Sequence, residues 1–171
     1  MHMTRLLLLL AVPALLVAVP LRAADETSAA SAVAAVLDDF HDAADKGDKA
    51  RYLGHFTEDG VFLGTDDWER WPLPVFRDYV EKRFQDGKGW SYRSVERHVR
   101  VAGDGETAWF DEIVESAKWG RFRGTGVLLR QDGQWKVAHY ALSFLIPNAV
   151  GEEVSRLAQE AQATEQQAPT E

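Results

Sequence analysis

The sequence predicts an α+β domain with helices grouped on one face of a curved antiparallel sheet. Two observations carry this. The first half of the chain shows apolar residues at helical spacing, while the second half shows alternating runs joined by tight glycine turns. From Ser31 onward, Val33, Val36, Leu37 and Phe40 recur at three- and four-residue steps and define the first helix. Lys46-Gly47-Asp48 ends that helix and begins another, with Gly47 as C-cap and Asp48 as N-cap. The second helix is short and carries Tyr52, Leu53 and Phe56; Thr57-Glu58-Asp59-Gly60 reads as a turn and Val61-Phe62-Leu63 as a short strand. Pro74 opens a third helix, whose apolar face is Phe76, Tyr79, Val80 and Phe84. Four strands follow, near Trp90–Val101, Thr107–Lys118, Arg121–Arg130 and Gln134–Leu145. Gly103-Asp104-Gly105, Trp119-Gly120 and Gln131-Asp132-Gly133 connect them.

The 171 residues suit one domain with flanking segments. Residues 1–23 read as a secretory signal peptide. Arg5 is the positive n-region, Leu6 to Val19 the apolar core, and Leu21-Arg22-Ala23 the cleavage site before Ala24. Pro13 and Pro20 break the apolar run, which is short for a membrane span, so an uncleaved anchor is the weaker alternative, left open by Arg22 beside the cut. A periplasmic or secreted location is the expectation. Residues 31–148 form the domain. Residues 149–171 form a polar tail rich in Glu, Gln and Ala, partly disordered, in which Val154 and Leu157 support one or two helical turns.

The chain holds no cysteine, so disulfides and thiolate metal sites are excluded. Its net charge of −8 argues against nucleic acid or an anionic membrane as partner. His2, His41, His55, His98 and His139 show no HxH, HxxxH or HExxH spacing, so no metal site is expected. With no dinucleotide fingerprint, phosphate loop or Gly-x-Ser-x-Gly element, no cofactor is expected either.

Candidate site residues come from the strand faces. In WKVAHYALSF, alternation from Trp135 and Val137 puts His139 and Ser143 on the concave face. In RFRGTGVLLR, taking Val127 and Leu129 as core turns Thr125 and Arg123 inward. Both faces of AWFDEIVES are mixed, so either Asp111 or Glu112 is the inward acid. A carboxylate beside an imidazole moves protons near neutral pH, which makes His139 with Glu112 or Asp111 the catalytic candidates. Arg123 can bind or neutralise an anion, and Asp66 stands at the rim in GTDDWERW. Trp71, Trp109 and Tyr140 are candidate aromatic walls, although alternation puts Tyr140 on the face opposite His139. Each group also has a structural reading: a hydrogen-bonded core histidine, a buried ion pair, a turn cap at Thr65-Asp66-Asp67.

The order of elements resembles the nuclear transport factor 2-like superfamily, and within it the SnoaL-like branch. The resemblance rests on residues 38–66 (DDFHDAADKGDKARYLGHFTEDGVFLGTD), 104–112 (DGETAWFDE) and 120–148 (GRFRGTGVLLRQDGQWKVAHYALSFLIPN). It implies a cone-shaped bent sheet wrapped around the long N-terminal helix, with a pocket at the wide end. It also brings a range of activities, from isomerases, dehydratases and polyketide cyclases to non-catalytic binding and assembly domains. Ala141 stands where family members often carry a second polar group or histidine. The aspartate or tyrosine pair of the best-known acid–base members has no residue-by-residue match here. Three readings stay open. The first is a module binding a small molecule with an apolar body; the second, an isomerase, cyclase or dehydratase using the same pocket; the third, a protein-interaction module. A homodimer through the sheet fits any of them.

Overall fold

The computed structural model describes residues 20–167. The expected signal segment therefore lies outside the described residues, except for Pro20–Ala23, which are part of the first helix. The elements are α1 (Pro20–Asp45), α2 (Lys49–Gly54), β1 (Phe56–Leu63), β2 (Arg70–Pro72), α3 (Leu73–Arg83), β3 (Arg93–Val101), β4 (Thr107–Ser116), β5 (Gly120–Gln131) and β6 (Gln134–Phe144). A 3-10 turn (Asn148–Val150) and α4 (Gly151–Gln167) complete the chain.

The six strands form one curved, unclosed sheet in the order β2-β1-β6-β5-β4-β3. Every neighbouring pair is antiparallel except β1 and β6, which run parallel. Asp132 and Gly133 both adopt positive φ, 50° and 77°, the backbone a two-residue hairpin turn requires between β5 and β6. The expected turn at Thr57–Gly60 is instead part of β1. Phe56 pairs with Val137 and Val61 with His139, so the intervening residues form a bulge within the strand. Phe56 accordingly leads the strand and does not end the helix. β2 has no counterpart in the expected elements, because three residues containing a proline give too short a pattern.

α1 lies against β3 and β6, while α3 covers β1 and β2. The apolar stripe of α1 (Val33, Leu37, Phe40, Ala43 and Ala44) is fully buried against the sheet. The core is built largely of rings. Tyr52 stacks on Phe40 at 4.5 Å, Phe62 stacks on Phe76 at 4.5 Å and 7°, and Phe62 is parallel to Tyr140 within 2° at 5.6 Å. Such pairs add roughly 0.5–1.5 kcal/mol each beyond the area they bury. α4 is longer than Val154 and Leu157 suggest, and it packs chiefly on the 3-10 turn before it. No helix among the described residues is long and apolar enough to cross a membrane.

Candidate functional site

The inner face of the sheet carries Ala108, Phe110, Glu112 and Val114 from β4. β5 adds Phe122, Gly124, Gly126 and Leu128, and β6 adds Trp135, Val137, Tyr140 and Leu142, all buried. Two features reverse the faces that simple alternation gives. On β6, Val137 pairs with Leu128 and His139 with Val127, so Ala138 is an extra residue in the ladder. That bulge turns His139 outward and Tyr140 inward, since a one-residue slip exchanges the two faces of a strand. On β5 the inner positions next to Phe122 are Gly124 and Gly126, which carry no side chain to mark the face. Val127 and Leu129 are half-buried residues of the outer face.

The sequence-derived candidates separate accordingly. His139 and Thr125 are half-buried on the outer face, where Arg123 and Ser143 are exposed. Trp109 is also outward and 50% exposed, with Asp111 exposed beside it. Asp66 is exposed in the β1–β2 loop, where it caps that loop by accepting from the Asp67 N–H at 2.8 Å. None of these seven faces the interior. Glu112, Tyr140 and Trp71 do.

Glu112 is only 1% exposed and is the centre of a buried polar cluster. Its Oε1 lies 2.8 Å from His41 Nε2 and accepts from the Tyr140 hydroxyl at 3.0 Å. Its Oε2 accepts from Arg97 Nε at 2.9 Å. Arg97 also donates Nη1 to the Ala34 carbonyl at 3.0 Å and to Asp38 at 2.7 Å, joining β3 to α1. Burial alone would raise the Glu112 pKa. The His41 hydrogen bond and charge, together with the Arg97 guanidinium, outweigh burial and bring it to about 2. Tyr140 is pushed far above the ordinary phenol range, first by burial and then by the neighbouring carboxylate. Gly124 makes room for this cluster: a Cβ there would collide with the Tyr140 hydroxyl and lie 3.0 Å from Glu112 Cγ.

The sequence contained a signal for this cluster. His41 falls four residues after Leu37 on the buried stripe of α1, Glu112 lies between Phe110 and Val114, and Arg97 shares a face with Val99 and Val101. A charged or titratable residue on an apolar face implies a buried partner.

A cavity of ≈ 380 Å³ opens at the end of the sheet beside α3 and the β4–β5 turn. Its aromatic wall is Phe62, Trp71, Tyr79, Trp90, Tyr92 and Trp119, with Leu142 from β6. Its charged lining groups are Glu69, Arg83 and Lys118. Glu112, His41, Arg97 and Tyr140 do not line it. Tyr140 stands one ring behind the wall, parallel to Phe62. Burial raises the hydroxyls of Tyr79 and Tyr92, so both are O–H donors at neutral pH. Among the described residues no cluster of three or more His, Asp or Glu is arranged to hold a metal ion.

The curved six-stranded sheet with α1 packed on it places the chain in the class of nuclear transport factor 2-like folds. Within that class the chain belongs to the SnoaL-like domain family, whose model matches residues 33–147. Among solved structures it is similar to an NTF2-like protein of unknown function from Pseudomonas putida KT2440. That match has 18% identity and a TM-score of 0.61, and covers 71% of this chain and 90% of the other. A candidate scytalone dehydratase from Novosphingobium aromaticivorans DSM 12444 matches at 14% identity and a TM-score of 0.57, covering 68% and 83% of the two chains. A candidate ketosteroid isomerase from Parabacteroides distasonis ATCC 8503 matches at 17% identity and a TM-score of 0.55, covering 67% and 86%. No curated protein matches the sequence. At these identities the likeness concerns the fold.

Proposed function

We propose that the chain is a ligand-binding module that holds a small, partly apolar molecule in the aromatic cavity, without acid–base catalysis through the Glu112 cluster. The supporting observation is the separation of the two sites. The cavity is walled by rings, while the one buried carboxylate among the described residues, Glu112, has both oxygens engaged by His41, Tyr140 and Arg97 behind that wall. A general base must reach the proton it removes and must be free to accept it. Glu112 meets neither condition, and His139 is on the opposite face of the sheet. A cavity of this size falls in the range that takes small-molecule ligands. The named isomerase and dehydratase neighbours keep catalysis as the rival reading, in which Tyr79 or Tyr92 would be the proton donor.

The test is calorimetric titration of the protein with fused-ring aromatic compounds, repeated on Trp71→Ala. Binding that weakens by roughly tenfold in the variant supports the cavity. Binding unaffected by Trp71→Ala, or no binding by any member of the series, removes this reading.

A further inference from the structure

The charges around the cavity specify the chemistry of its occupant beyond an apolar body. Arg83 comes from the last turn of α3 and Lys118 from the β4–β5 turn, two separate elements that bring cations to one cavity. Neither is paired with a carboxylate among the described residues. Lys118 Nζ lies instead 4.5 Å above the Trp119 ring, itself part of the wall. Among the described residues, the only acidic side chain lining the cavity is Glu69. Its carboxylate is engaged by the chain, accepting from the Thr65 N–H at 2.7 Å and the Asp66 N–H at 3.1 Å. A helix C-terminus favours a cation such as Arg83 with or without a ligand. A second cation on a different element, at the same ring-lined space in a chain of net charge −8, is what the helix does not explain.

We propose that the cavity selects a planar apolar acid, its ring system against Trp71 and Trp90 and its carboxylate directed to Arg83 and Lys118. The inference rests on the cavity reading above and narrows it to one ligand class. Arg83 and Lys118 are solvent-exposed, so their attraction is a matter of discrimination and weakens with salt. Tyr79 and Tyr92 add hydroxyl donors on the same wall.

The experiment compares 2-naphthoate with its neutral isostere 2-naphthamide by calorimetry at low ionic strength, on the full chain and on the double variant Arg83→Gln/Lys118→Gln. The expected result is a preference for the acid of roughly fivefold to tenfold, falling to near parity in the double variant, with naphthamide affinity unchanged. Both substitutions are at exposed positions, and thermal unfolding of the variant confirms that it folds. Equal affinity for acid and amide in the unaltered protein overturns the charge selection and leaves the cavity reading standing. A preference that persists in the double variant overturns the assignment to Arg83 and Lys118. If neither compound binds, the cavity reading fails and this inference fails with it.

Discussion

Glu112 joins three elements of the fold from a position outside the cavity lining. Its carboxylate is surrounded by His41 from α1, Arg97 from β3 and Tyr140 from β6, with Asp38 on the far side of Arg97. The native state therefore stabilises the ionised form, with a folded pKa of about 2 against an ordinary 4.5. The sign follows from proton linkage: a depressed carboxylate contributes stability that is complete above the ordinary pKa and is lost as pH falls through the folded one. The difference corresponds to about 3 kcal/mol. Urea unfolding should show stability falling between pH 4.5 and 2, with that segment flattened in Glu112→Gln. At pH 7 the same substitution leaves Arg97 without its buried counter-charge and should cost about 3–5 kcal/mol. A Glu112→Gln protein as stable as the parent at pH 7 would show that the cluster does not hold α1 to the sheet.

At the scale of elements, β6 determines what was legible and what was not. The first three helices and the four long strands follow from apolar periodicity and turn chemistry. Which face of a strand looks inward depends on single residues. Ala138 inserts a bulge with no glycine to announce it, and Gly124 and Gly126 leave the inner face of β5 blank. His139, Arg123, Thr125 and Trp109 consequently form one coherent set, on the outer face. The pairing within the Glu112 cluster was hidden for a different reason: its members are scattered along the chain, His41 and Glu112 being 71 positions apart, and only folding brings them together. Apart from Trp71, the cavity lining escaped because it is drawn from loops and element ends, where pattern is weakest. This geometry makes His139 a sharp control. His139→Ala should change stability by less than about 1 kcal/mol and leave naphthoate affinity unaltered, since the ring is half-buried and outside the cavity. A large loss of binding would place that imidazole in communication with the ligand.

At the scale of the whole molecule, the start of α1 bears on whether the N-terminal segment belongs to the working domain. Among the described residues α1 includes Pro20–Ala24 and so runs through the expected cleavage point before Ala24. A helix crossing a processing site conflicts with cleavage only where the removed part is packed. Here the buried stripe starts at Val33, and Glu26, Thr27 and Ser28 upstream of it are exposed. The family match likewise begins at residue 33. We propose on this basis that residues 1–23 direct export and are removed without loss to the fold. A chain beginning at Ala24 should then unfold within about 2–4 °C of the full-length chain, the shift expected for a change near 1 kcal/mol or less. Protein recovered from a periplasmic extract should have the intact mass of a chain beginning at Ala24. Recovery of the uncut chain from the membrane fraction would instead assign residues 1–23 the role of an anchor, with the cavity-bearing domain tethered to the surface.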